Sequence, residues 1–248
     1  MAEQTLYIEC YSGVSGDMTV AALLDLGADK EVLLKGLKSL NVKGYSIEIK
    51  RILKNGIDAC DFDVILDESI FKNHDNASDI NRNIYDIYKI IDNSSITENA
   101  KNISKKIFKI KAVAESKAHD VEIEHVYFHE AGAVDSIVDI VSAAICLDNL
   151  EINDVIVSQI YDGCGFIKCR KGLLPVPVPA VINIANEHDL NIKNTDNVGE
   201  MVTPTGAAIM AAIITKKTLP DNYKIKKTGI GAGKREYSND GVLRMYII

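Results

Sequence analysis

The sequence predicts a mixed-sheet fold of the α/β or α+β class, with helices packed on the sheet and strand-loop-helix units. Three observations predict it. Segments alternating apolar and polar residues with period two interleave with segments of helical period. Two strand-like runs flank Asn55-Gly56, the strongest short hairpin signal. No internal repeat or low-complexity tract appears in the 248 residues.

Leu6 to Tyr11 alternates and reads as a strand. Ser12 to Asp17 follows as a tight polar turn, and Met18 to Leu26 as a helix with Gly27 at its C′ position. Such a strand, loop and helix N-terminus can hold an anion on its N–H groups, with the hydroxyls of Ser12 and Ser15 beside them. The loop lacks the spacing of a P-loop. Asp17 reads either as a first-turn capping residue or as a carboxylate at the carboxyl end of a strand, where α/β sheets place their sites. A second helix spans Asp29 to Leu40, and the hairpin strands are Tyr45–Ile52 and Ile57–Leu66. Residues 67–79, His74 among them, are polar and read as a loop. Within the single region 1–248 this loop is where any sub-boundary falls. Helical periodicity returns at Ser78–Ile91 and Ile96–Ala118, the second with its lysines on a solvated face.

His125 to Ala144 concentrates two histidines, a glutamate, two aspartates and a tyrosine in an otherwise apolar run. Val126 to Phe128 favours a strand that puts His125, Tyr127 and His129 on one face. Gly132 then breaks the strand, and Asp135 caps a helix to about Leu150. On that helix Asp135, Asp139, Ser142 and Cys146 share one stripe, which must face solvent or a polar cavity because burying unpaired charge is costly. Either a metal site or an ordinary amphipathic helix with surface histidines satisfies that pattern. The zinc spacing H-E-x-x-H is absent.

Further on, Val155–Ile160 and Phe166–Cys169 read as strands separated by a turn at Gly163 to Gly165. Leu174 to Pro179 reads as a rigid extended lead-in, with Pro179 at the first position of a helix through Asn186. Thr203, Thr205 and Gly206 precede an apolar helix Ala208–Ile214 and form a second anion cradle, with plain Thr capping as the alternative. Strands at Lys224–Lys227 and Val242–Ile248 flank a glycine loop, Gly229 to Arg235, that does not fit a dinucleotide fingerprint.

Composition is ordinary for a globular chain: 47% apolar and 25% charged. A net charge of −7 and an isoelectric point near 5.3 argue against a dedicated binder of nucleic acid or anionic membrane. Five cysteines without C-x-x-C pairing suit a reducing, cytoplasmic setting. The N-terminus lacks the features of a secretory signal, and no apolar run reaches membrane-spanning length. The oligomeric state is left open, a homo-oligomer included.

Seven stretches, in order along nearly the whole chain, resemble one family, the nickel-insertion proteins of nickel-pincer nucleotide cofactor assembly. They are Tyr11-Ser-Gly-Val-Ser-Gly-Asp-Met18, Ala114-Glu-Ser-Lys-Ala-His119, Phe128-His-Glu-Ala-Gly-Ala-Val-Asp-Ser-Ile-Val-Asp-Ile140, Gly165-Phe-Ile-Lys-Cys169, Gly172-Leu-Leu-Pro-Val-Pro-Val-Pro179, Thr203-Pro-Thr-Gly-Ala-Ala208 and Gly229-Ile-Gly-Ala-Gly233.

The resemblance implies a nickel insertase, a cyclometallase of the lyase class. It would place nickel in a pyridinium bis-thiocarboxylic acid mononucleotide while consuming CTP with manganese or magnesium. It implies His129, Glu130, Asp135 and Asp139 as metal and acid–base residues, Asp17 as a further carboxylate, His119 as a second imidazole and Cys169 as a soft ligand. It also implies a C-terminal CTP-binding domain or separate subunit as partner, since full-length members continue where this chain stops at Ile248. Two positions depart from the family: Tyr127 and Lys171 stand where it commonly has histidine. A non-catalytic metal-binding or scaffolding subunit, and an independent metal-dependent phosphoryl-transfer or hydrolytic enzyme, are the competing readings.

Overall fold

The computed structural model describes residues 4–67, 69, 82–128, 130–169 and 172–248, with the side chains of residues 130–132 left out. Its centre is a six-stranded mixed sheet in the order β2-β3-β9-β10-β1-β4. β1 (Thr5–Glu9) lies between antiparallel β10 (Val242–Ile247) and parallel β4 (Asp154–Val157). β9 (Lys227–Ala232) pairs antiparallel with β10 and parallel with β3 (Ile57–Leu66), which forms a hairpin with β2 (Tyr45–Lys54). Two small sheets stand apart: parallel β5 (Ile160–Cys164) with β8 (Ile192–Val198), and the hairpin β6 (Phe166–Cys169) with β7 (Gly172–Pro175).

Local sequence places several elements as expected. Asn55 and Gly56 take positive φ values of 49° and 81°, the conformation a two-residue hairpin turn requires. Helix α1 (Gly16–Asp25) ends with Gly27 at φ 114°. Helix α2 (Lys30–Ser39) is capped by Asp29, which accepts from the N–H groups of Glu31 and Val32. Helix α3 is Ile84–Asp92, and α4 is Glu98–His119. Helix α6 (Pro179–His188) starts with its proline at the first turn, as predicted.

The central segment folds differently from the sequence expectation. Ile123–His125 is one turn of 3-10 helix, and Phe128 makes a single β-bridge with Arg82 instead of belonging to a strand. Helix α5 runs from Glu130 to Asn149, so it starts five residues before Asp135. Asp135 is therefore inside the helix and not its cap, and Gly132 is helical. Packing decides the matter: α5 is the buried axis of the domain, with Ile137, Val138, Ile140 and Val141 fully enclosed. The gain from enclosing that run outweighs the roughly 1 kcal/mol that one helical glycine costs.

The stretch Gly229–Ala232 is strand β9, not a loop. A Cβ on Gly231 would lie 2.1 Å from the Met18 carbonyl oxygen, and one on Gly229 would lie 2.2 Å from that of Ala22. The glycines let α1 lie directly on the sheet. β9 accordingly begins at Lys227, where the expected strand ended. Gly163 and Cys164 belong to β5 rather than to a turn, Gly165 making the bend, and β4 closes at Val157. Strand β8, polar and without apolar alternation, was not anticipated. Helix α7 (Pro204–Ile213) starts four residues earlier than expected, capped by Thr203. The loop at 67–79 beyond its first residues, His74, and the first residues of the helix expected at Ser78 lie outside the described residues, as do His129 and Lys171.

Candidate functional site

The carboxyl end of β1 opens into a cleft of about 330 Å³. Its floor is the start of α1, its acidic wall is α5, and its rim comes from α7 and the β9–β10 connection. Chain segments far apart in sequence are locked together beneath it. The Val14 N–H donates to the Met201 carbonyl at 3.0 Å, and the Thr203 N–H donates back to Val14 at 3.0 Å. This strand-like pairing needs Gly206, whose Cβ would fall 2.2 Å from the Val14 oxygen. Gly206 thus serves packing, and its N–H is already taken by the Thr203 hydroxyl at 3.0 Å. Thr203 is the ordinary helix cap that the sequence allowed.

Of the residues singled out in the sequence, Ser12, Ser15, Asp17, Asp135, Asp139, Thr203 and Thr205 all line this one cleft. His119 and Cys169 do not line it. His119 is exposed at the end of α4, 3.6 Å from Glu115. The Cys169 thiol donates to the Gly172 carbonyl at 3.2 Å in the β6–β7 hairpin. Among the described residues no three histidine, cysteine, aspartate or glutamate side chains form a metal-holding group.

Three carboxylates dominate the electrostatics. Burial pushes the Asp139 carboxyl well above the ordinary carboxylate range, and the charges of Asp135 and Asp17 push it further, against Lys111 and Lys234. One Asp139 oxygen is fully buried without a hydrogen-bond partner. The other side of the carboxylate rests on Gly16, where a Cβ would meet Oδ2 at 2.3 Å, so only glycine admits this approach. Asp17 is raised by burial despite accepting a hydrogen bond from the Ser15 hydroxyl. Asp135, with its side chain open to solvent at the mouth, is raised by what protein surrounds it and by Asp17, with Lys111 opposing. The outcome is a proton-hungry acidic wall.

The opposite rim was not assigned from the sequence. Lys234 pairs with Asp61 and, at 3.5 Å, with Asp63. Arg235 holds the Glu200 carboxylate at 3.1 Å and its carbonyl at 2.6 Å, and the Tyr237 hydroxyl donates to the same carbonyl at 2.5 Å. The sequence reading also missed Lys111, which is buried. Its signal was present: Lys111 lies four residues after Ile107 and three after Phe108, on the buried stripe of α4.

The family model described as nickel insertion protein matches residues 6–248. The chain belongs to this family. It is 58% identical over 252 residues to the pyridinium-3,5-bisthiocarboxylic acid mononucleotide nickel insertion protein of Alkaliphilus metalliredigens, covering 98% of this chain and 60% of the relative. Proteins of the same name from Acetivibrio thermocellus and Geobacillus kaustophilus are 44% and 41% identical, over 96% and 98% of this chain and 59% of each relative. The chain spans about 60% of the length of the curated relatives it matches. No solved structure matches it. Among the described residues no helix is long and apolar enough to cross a membrane.

Asp17, Asp135 and Asp139 offer hard oxygen donors, the class that suits magnesium and manganese, and the unpartnered buried oxygen of Asp139 adds a free acceptor. Magnesium is ordinarily held by one or two carboxylates plus phosphate oxygens and water, and since no three of the described side chains gather as a metal-holding group, one or two of these are what the cleft could offer it.

Proposed function

We propose that this chain is the substrate- and nickel-handling part of a nickel insertase acting on a pyridinium bis-thiocarboxylic acid mononucleotide. The observation that carries the reading is convergence. Four of the seven stretches by which the sequence resembles the family, around Asp17, Asp139, Thr205 and Gly233, come from distant parts of the chain and line the same cleft.

The chemistry follows from the acidic wall. Putting nickel(II) on a ring carbon breaks a C–H bond and uses its electron pair to form a C–Ni bond; the metal keeps its oxidation state, and a proton must leave. A carboxylate whose proton affinity is raised by burial and by neighbouring carboxylates is suited to take it. Asp139 would take that role, and Asp135 and Asp17 would draw the cation in. Glu130, the first residue of α5, and His129 before it in sequence complete the proposed nickel ligands, with imidazole supplying the borderline donor nickel favours.

The rest of the relatives' length would supply the CTP site as a further domain or subunit, in the cytoplasm. Magnesium or manganese would neutralise phosphate charge there; Asp17 and Asp135 are the residues of this chain that could share it.

The test is calorimetric titration of the chain with nickel, alongside insertion assays with CTP and the missing portion added. Asp139→Asn and His129→Ala should each weaken nickel binding at least tenfold and abolish insertion. Normal insertion by both variants would reduce this chain to a scaffold.

A further inference from the structure

A buried lysine stands behind the cleft wall. Lys111 on α4 is enclosed, yet no carboxylate lies within ion-pair distance of it among the described residues. Its ammonium instead donates to the Ser136 hydroxyl on α5 at 2.7 Å and to the Thr205 hydroxyl on α7 at 2.9 Å. The nitrogen sits 5.5 Å from the centre of the Phe128 ring. Burial lowers its proton affinity, while Glu115, Asp135, Asp139 and Glu200 favour the charged form. Enclosing an ammonium without a counter-ion is costly, and an apolar side chain there would be cheaper for folding.

An ammonium has donors and no acceptor, so both hydroxyls must accept from it. Thr205 is the one of the two that lines the cleft. With its oxygen occupied by Lys111, its own proton is free to be given, and among the described residues no group takes it. We infer that Lys111 is a positioning residue that makes Thr205 a committed hydrogen-bond donor to an acceptor on the bound mononucleotide, its ring carboxyl or thiocarboxyl group or its phosphate. The inference rests on the proposed substrate class, and it assigns Thr205 a ligand contact and Lys111 the role of orienting it.

The experiment measures binding of nicotinic acid mononucleotide, a pyridinium mononucleotide with a ring carboxyl, by calorimetry on the purified chain. Nicotinic acid riboside, which lacks the phosphate, is the second probe. Thr205→Val and Lys111→Met should each weaken mononucleotide binding about tenfold, in line with loss of one hydrogen bond to a charged group. The double variant should be no weaker than either single one, because both remove the same contact. Thr205→Ser should bind like the wild type. Lys111→Met should melt no lower than the wild type, since a merely structural lysine would cost stability when removed. If the loss persists with the riboside, the acceptor is the ring carboxyl; if it vanishes, the acceptor is the phosphate. Additive effects, a Lys111→Met protein that binds normally, or a wild type that ignores the mononucleotide overturns the inference. Failure of the nickel-insertase reading has a separate signature, intact nickel binding in Asp139→Asn.

Discussion

Asp139 and Asp162 are the same residue type, both enclosed, and both raised above the ordinary carboxylate range chiefly by burial. Each has one buried oxygen with no hydrogen-bond partner. They differ in what the remaining oxygen does. Asp162 Oδ1 accepts three backbone N–H groups, from Gly163 at 2.8 Å, Met201 at 2.9 Å and Val202 at 3.0 Å. It pins the segment that carries Glu200 and Thr203 to β5. Asp139 accepts none among the described residues, and its nearest charges are two more carboxylates and two lysines. Burial alone therefore does not mark a functional carboxylate. One that accepts backbone N–H groups holds the chain, and one that accepts none and lines a cleft is left free for a ligand.

The largest expected effect breaks the first of the pair. Asp162→Ala leaves three buried N–H groups without an acceptor, and should cost about 3–5 kcal/mol in urea unfolding. A loss under about 1 kcal/mol would mean that water replaces the carboxylate, and the contrast with Asp139 would fade. Asp139→Asn should instead leave stability unchanged or raise it by about 1 kcal/mol, because a poorly solvated charge is removed without orphaning a partner. Loss of the fold in that variant would make Asp139 structural as well.

Much of the scaffold was legible because its causes are local. Asn55-Gly56 dictates its turn, Thr203 its cap and Pro179 its helix start, each through neighbours within four residues. What failed to show depends on distant partners. The glycines of β9 answer to the backbone of α1, about two hundred residues earlier, and look like a loop until that helix is in place. Gly132 lies inside α5, where the enclosed run from Ala133 onward outweighs its helix-breaking tendency. For the site, the residues near α1, α5 and α7 were found through their motifs. Tyr237 carries no motif, and it and Arg235 are held at the cleft by Glu200, while Lys234 is held by Asp61 and Asp63.

Acid should separate stability from binding. The folded-state proton affinities of Asp139, Asp135 and Asp17 are raised, so between the ordinary carboxylate value of 3.8 and the raised values the folded protein binds more protons than the unfolded one. The contribution of these groups to stability is then fully present at low pH and declines as pH rises through that window. Exposed Asp58 and Asp189 and half-buried Asp154, lowered by Arg51, Lys217 and Lys216, act in the opposite sense. The useful quantity is accordingly the difference between wild type and Asp139→Asn, whose stability gain should grow from acid toward neutral pH. Nickel binding should move the other way and weaken on acidification, as protons compete for the same oxygens. A stability difference independent of pH between 4 and 8 would show that Asp139 is not raised.

The smallest effect calibrates the comparison. Asp29 is a third carboxylate with a defined job, accepting from the Glu31 and Val32 N–H groups at 2.8 and 3.3 Å, but it stands in solvent at the start of α2 and is not part of the cleft lining. Asp29→Ala should cost about 1 kcal/mol of stability, the usual value of a cap. Nickel affinity should stay where it is. If removing this remote carboxylate weakened nickel binding as much as Asp139→Asn does, the metal would be answering to the overall charge of −7 rather than to the cleft. Retained affinity here, beside its loss in Asp139→Asn, ties the cation to one unsatisfied carboxylate and its neighbours.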